Sequence, residues 1–235
     1  ETGAILNRAN AEGVGSVATY PFGRGGFEVS KLEEATAKRY LPAAELSKLK
    51  STTASNPPCE YARKLFLFSY YCYGISFIDM AMLTAAHIKQ MEDGDYIVYK
   101  RQKIKRQKGV KPISIKITPA IRQLIGSLQA ASPTVDDFLL PIVTRSGYTG
   151  ERLYMHIRAR YSKYQKYLRL LAEELGIDFH LTSYVSRHTA AMTLQRNHIP
   201  REVISQMLGH ADLETTNIYL DSFDNRVINE AAKVL

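Results

Sequence analysis

The sequence predicts a mainly α-helical fold with one small antiparallel β-sheet, an α+β architecture. Three observations carry this. Apolar residues recur at helical spacing through most of the chain, alternation at period two is confined to two short stretches, and Gly or Pro stands at the ends of the helical stretches.

Residues 1–13 read as the end of a helix, with Ile5, Leu6 and Ala9 on one face and Gly13 as its stop. Residues 14–37 contain Pro21, Gly23, Gly25 and Gly26 and read as a linker. A folded body is expected over 38–235. Pro42 opens a short helix through Glu45, Leu46 and Leu49. The most apolar helix is expected over 60–73, with Leu65, Phe66, Phe68, Tyr70 and Tyr71 as core candidates, and a further helix over about 77–86. Tyr96–Tyr99 and Ile113–Ile117 alternate as strands and predict the sheet within 95–117. Between them, seven of the twelve residues Lys100–Lys111 are Lys or Arg. Helices over about 119–129 and 151–175 follow, the second ending at Gly176. The last third predicts a helix over 183–196 capped by Thr182 or Ser183, one from Pro200 to Gly209, one after Asp212 that holds Tyr219, and one over 225–234.

With 235 residues, 45% of them apolar, the chain can bury a sizeable core. Its net charge of +8 and pI near 9.4 favour a polyanionic partner, nucleic acid or an anionic membrane surface, although many basic proteins bind neither. The two cysteines, Cys59 and Cys72, are too few for a disulfide scaffold and lack zinc-site spacing, so a reducing cytoplasm is expected and no metal or other cofactor. No apolar run reaches the roughly 18 residues of a membrane span. Without an initiator Met or a signal-peptide h-region, the chain is expected to be a piece of a longer protein.

The most informative residues lie near the C-terminus. Tyr184-Val-Ser-Arg187-His188 is followed by Leu208-Gly209-His210 and then by Thr215-Thr216-Asn217-Ile218-Tyr219, with Arg187 to His210 spanning 23 positions and His210 to Tyr219 nine. This resembles the signature of the tyrosine recombinase (phage integrase) family: H-x-x-R-H, then LGH, then TT-x-x-Y nine residues after the LGH histidine. Several residue types at fixed offsets make the match specific. It is strongest over 181–223 and extends more weakly across 38–235.

The residue types fit the chemistry the resemblance implies. Cutting DNA without hydrolysis requires a protein nucleophile that stores the phosphodiester energy covalently. A tyrosine does this through a 3′-phosphotyrosyl link, freeing a 5′-hydroxyl that later attacks back. By resemblance Tyr219 is the nucleophile, whereas an isolated tyrosine among fifteen would be read as an ordinary half-buried one. Arg187 is the phosphate-binding arginine, whose planar fork suits non-bridging oxygens, rather than a surface ion-pair partner. Helical spacing puts Tyr184, Arg187, His188 and Ala191 on one side, and the small Ala191 is expected to leave room there. His210 would donate to a non-bridging oxygen, its plain alternative being a C-cap. Tyr99-x-Arg101-x-Lys103 resembles the family hairpin that supplies a general-acid lysine, making Lys103 the candidate. Lys100, Arg101, Lys105, Arg106 and Lys108 are candidate contacts to the DNA backbone; the plain alternative is a solvated basic loop.

Two departures from the pattern stand out. Tyr184 occupies the first histidine position, where it can still donate a hydrogen bond to phosphate but cannot take up and release a proton near pH 7 as imidazole does. The family's first arginine falls at Ser76, or at Tyr73 in an alternative alignment. Losing one donor from a preorganised anion site typically costs on the order of 10²–10³ in rate. Arg63 or Arg101 could substitute in space, partners could assist, or the domain could bind DNA without cutting it.

The resemblance therefore implies a site-specific DNA recombinase of a phage or other mobile element, with a catalytically impaired DNA-binding paralogue as the alternative. A helix-turn-helix regulator would use 183–209 but leave His210 and Tyr219 unexplained. A type IB topoisomerase shares the chemistry but fits the spacing less well. The implied partners are double-stranded DNA, three further copies of the full-length chain in a tetramer on paired sites, and accessory DNA-bending proteins, with no membrane. Residues 1–13 are expected to be the last helix of a core-binding domain. The helix over 225–234 is the candidate for exchange between subunits.

Overall fold

A computed structural model describes residues 2–14, 40–104, 111–178 and 180–209. The chain divides into two units, 1–38 and 39–235. In the first, helix α1 (Thr2–Ala11) carries an Arg8–Glu12 ion pair on its exposed side.

The second unit is built around α3 (Pro57–Tyr71), which begins with two prolines in its first turn, where the missing N–H groups cost nothing. Ala62, Leu65, Phe66, Phe68 and Ser69 are buried all round it, as expected of a central helix. It packs against α5 (Pro119–Ala131), α6 (Gly150–Leu175) and α7 (Ser183–Arg196). Helix α2 (Ala43–Ser51) buries Leu46 and Leu49, and its Lys48 ammonium donates to the Leu175 carbonyl at the end of α6. Gly176 ends α6 in the left-handed conformation. Helix α8 (Arg201–Leu208) lies on α7 through a small cluster of Ala191, Met192, Ile204 and Leu208.

The sheet differs from the sequence expectation by one strand. It has the order β1 (Ile88–Met91), β2 (Gly94–Tyr99), β3 (Ile113–Lys116), all antiparallel. Ile97 pairs with Ile115 and Tyr99 with Ile113, and these four face the core. The helix expected over 77–86 is shorter: α4 spans Phe77–Ala81, and a 3₁₀ turn covers Ala85–His87. The reason is local. Thr84 bridges to Phe138, and the Leu139 amide donates to the Leu83 carbonyl, so the chain at 83–84 is already paired as extended backbone. Among the described residues no helix is long and apolar enough to cross a membrane. The helices expected to hold Tyr219 and to cover 225–234 lie outside the described residues, as does the linker from residue 15 onward.

Candidate active site around Arg187

Arg187 sits in the second turn of α7 and is 5% exposed. Two of its donors reach different segments: Nη1 donates to the Gly74 carbonyl at 3.1 Å and Nη2 to the Leu208 carbonyl at 2.6 Å. Each acceptor lies in a turn whose geometry only glycine completes easily.

The first turn follows α3. Tyr73 and Gly74 both have positive φ, 56° and 72°, and the Gly74 amide donates to the Ser69 carbonyl at 2.7 Å. A Cβ on Gly74 would lie 2.4 Å from the Arg187 Cα, so α7 passes directly over this glycine. Nearby, the buried hydroxyls of Ser69 and Ser186 are 2.7 Å apart and tie α3 to α7. The second turn is the end of α8, where Gly209 adopts φ 64°. A Cβ there would meet the Ile113 side chain at 2.4 Å, so this turn rests on the start of β3.

The start of α7 corrects one expectation. Thr182 stands at the N-cap without a side-chain cap bond. The Ser183 amide instead donates to Oε1 of Gln165, an α6 side chain, at 2.9 Å. A tertiary partner has replaced the local hydroxyl cap. A second correction concerns Ala191. The room it was expected to leave is filled, because Ala191 is fully buried in the cluster with Ile204 and Leu208. Its small side chain lets α8 approach α7, bringing the Leu208 carbonyl to Arg187.

Tyr184 is not brought beside Arg187 in the core. It is 53% exposed in the first turn of α7, with its ring edge against His188 at 5.1 Å between centroids. Helical spacing placed these residues on one side correctly, but the first turn emerges at the surface while Arg187, one turn on, is enclosed.

The basic segment leaves the end of β2. Lys100 and Lys103 are exposed, and Arg101 is half-buried. Arg101 Nη1 donates to the Gly209 carbonyl at 3.2 Å. Asp79 fixes this segment, a residue that sequence reasoning missed. It is 4% exposed; its Oδ1 accepts the Gln102 amide at 2.7 Å and its Oδ2 the Ser76 hydroxyl at 2.6 Å. An aspartate inside the apolar run Phe77-Ile78-Asp79-Met80 was the available signal, since a buried carboxylate needs partners. Tyr99, at the same end of β2, has its hydroxyl pushed up by burial first and then by Asp79, while Arg187 and Arg101 pull it down.

Arg63 is not a spare phosphate ligand. Its Nε and Nη2 both bond Glu60 at 2.7 Å, and Nη1 donates to the Leu49 carbonyl. The candidate residues His210, Tyr219, Lys105, Arg106 and Lys108 lie outside the described residues.

The sequence profile of the phage integrase family matches residues 39–226. A tyrosine recombinase XerD of Halalkalibacterium halodurans is 43% identical over 54 residues, which cover 23% of this chain and 18% of that protein. A XerD of Brucella abortus is 30% identical over 119 residues, 49% of this chain and 35% of that one. The chain thus spans only about a third or less of the length of these relatives. A crystal structure of a lambda integrase dimer bound to a COC′ core site is similar over 95% of this chain and 74% of its own, at 15% identity and a TM-score of 0.56. That likeness is one of fold.

Proposed function

Because this chain belongs to the phage integrase family and has the fold of its catalytic domains, we propose that it is the catalytic part of a site-specific recombinase of a phage or other mobile element. It cuts and rejoins double-stranded DNA through a 3′-phosphotyrosyl intermediate on Tyr219. In this reading residues 1–13 end a core-binding domain, 14–37 link it, and 38–235 catalyse. The Tyr219 oxygen attacks phosphorus as its phenolic proton passes to solvent, and the P–O5′ bond breaks. Arg187 and His210 carry the charge that gathers on the non-bridging oxygens, and Lys103 protonates the departing 5′-oxygen. Tyr184 donates a further hydrogen bond from the surface. Lys100, Lys105, Arg106 and Lys108 hold the backbone. The exchange conserves phosphodiester energy, so it calls for neither nucleotide nor metal. Assembly as a tetramer on paired sites, with accessory DNA-bending proteins, and a place in the cytoplasm on the nucleoid belong to the same reading.

One observation carries it. The buried fork of Arg187 is held by carbonyls from two turns, and one of those turns leads within two residues to His210. These carbonyls fix the direction in which the guanidinium is held.

The test is covalent trapping. Full-length protein is incubated with a randomised library of nicked suicide duplexes, and adducts are recovered under denaturing conditions. The expected result is a covalent complex enriched in one core sequence and lost in Tyr219→Phe. Duplex binding without any adduct would establish the impaired paralogue instead, which the non-arginine residues Ser76 and Tyr73 favour.

A further inference from the structure

We infer that Arg101 supplies the second phosphate-binding guanidinium of this site, in place of the family's first arginine, which neither Ser76 nor Tyr73 provides, and that Ser76 and Asp79 serve to position it. The inference rests on the recombinase reading above.

The geometry brings two cations to two consecutive peptide units. Arg187, from α7, donates to the carbonyl of Leu208, and Arg101, from the end of β2, donates to the carbonyl of the next residue, Gly209. The two arginines belong to elements 86 residues apart in sequence, yet they address consecutive carbonyl oxygens immediately before His210. Both also act electrostatically on the buried Tyr99 hydroxyl. The two guanidinium groups, on adjacent carbonyls, carry like charge, and an anion that meets both offsets it. The scissile phosphodiester is such an anion.

Capping of α8 alone accounts for the arrangement less well. The Gly209 amide already closes back on the Gln206 and Ser205 carbonyls, as a left-handed glycine cap does. Arg101 bonds a carbonyl beyond the helix with one of its five N–H donors. Its placement is also secured upstream. The amide of Gln102, the residue that follows it, is held by the buried carboxylate of Asp79, whose other oxygen takes the Ser76 hydroxyl. Ser76, one of the two positions at which the family arginine would fall, thus has a structural use. It locks the carboxylate that locks the segment carrying Arg101. Sequence reasoning named Arg63 and Arg101 as substitutes. The first is paired to Glu60, and the second stands at the site.

The experiment uses the duplex recovered with wild-type protein, in two forms: an ordinary scissile phosphate, and a methylphosphonate that lacks one negative non-bridging oxygen. Single-turnover cleavage is followed at saturating protein, with duplex affinity and thermal melting measured alongside. Arg101→Ala is expected to slow cleavage of the phosphate on the order of 10²–10³-fold, with affinity and melting close to wild type. On the methylphosphonate the gap between variant and wild type closes to about tenfold or less, because there is less charge for the guanidinium to meet. Asp79→Asn is expected to show the same pattern more weakly, the mark of a residue that acts through Arg101. Unchanged cleavage in Arg101→Ala, an equal penalty on both substrates, or a loss that follows melting or affinity would overturn the inference. Absence of any adduct with wild-type protein would instead overturn the recombinase reading on which it rests, and the two failures are read in different lanes.

Discussion

Among the described residues, Arg63 and Arg187 are buried to nearly the same depth, at 8% and 5% exposure, and their surroundings differ in kind. Arg63 meets a carboxylate three residues earlier on its own helix, a matched fork with both Nε and Nη2 at 2.7 Å from Glu60. Arg187 reaches across the fold to the carbonyls of Gly74 and Leu208. A carboxylate neutralises a guanidinium, whereas a carbonyl only orients it. Depth of burial alone therefore does not tell the two arginines apart; in the proposed reading Arg63 is structural and Arg187 meets the scissile phosphate.

Replacing each arginine by methionine, which keeps the bulk of the stem, separates the two roles. Arg63→Met leaves Glu60 buried without its main partner and should cost about 3 kcal/mol, or about 6–12 °C in melting temperature for a domain of this size, while adduct formation per folded molecule stays near wild type. The double variant Glu60→Met/Arg63→Met should recover most of that loss, since a buried ion pair replaced by apolar groups is often neutral. Arg187→Met should do the reverse, losing on the order of 10²–10³ in cleavage rate for a smaller loss of melting temperature. Calorimetry and single-turnover cleavage on the same four proteins decide the matter. If Arg63→Met abolishes cleavage in protein that melts normally, the contrast between the two sites is wrong.

The contrast was half legible in the sequence. Arg187 stood out by its spacing to His210 and Tyr219, the offsets of the family signature, and the family profile covers all three. Gly176 and Gly209 gave the ends of α6 and α8 for an equally local reason, the left-handed conformation of both. Where the determinant is tertiary, the sequence was silent or misleading. Strand β1 is Ile88-Lys-Gln-Met91, mostly exposed, so it has no apolar alternation to reveal it; Gly94, which follows the two-residue loop Glu92-Asp93 at φ 133°, was the usable clue. The cap of α7 comes from Gln165 on another helix. Arg63 and Arg101 were equivalent as letters in the sequence. Only their acceptors, Glu60 for one and the Gly209 carbonyl for the other, tell them apart.

The seat of Arg187 can be tested apart from its charge. Gly74→Ala places a Cβ 2.4 Å from the Arg187 Cα, against backbone that cannot rotate away, at a φ of 72°. Overpacking and the left-handed conformation together should cost about 2–3 kcal/mol, and α7 must shift away from the turn. Cleavage should therefore fall along with stability. Gly126→Ala is the matched control. It lies in α5 with nothing within 4 Å of the added carbon, so it should stabilise by about 0.5–1 kcal/mol and leave cleavage unchanged. Equal effects from the two substitutions would mean that α7 does not depend on close approach at Gly74.

The smallest expected effect concerns the paired arginine and its dependence on pH. Burial pushes the Glu60 carboxyl up, but the hydrogen bond and charge of Arg63, the Ala54 amide and the charge of Lys64 outweigh it, and the group lies below its ordinary value of 4.5. A carboxyl depressed in the folded state contributes stability that is present above its unfolded value and lost as pH falls through the folded one. The melting-temperature advantage of wild type over Glu60→Gln should therefore be constant at neutral pH and shrink by a few degrees as pH drops below about 4.5. Cleavage near neutrality should not follow Glu60 at all, because its charge is spent on Arg63. An advantage that grew on acidification would mean that Glu60 is not held ionised by Arg63, and the neutralised pair on which the contrast with Arg187 depends would be lost.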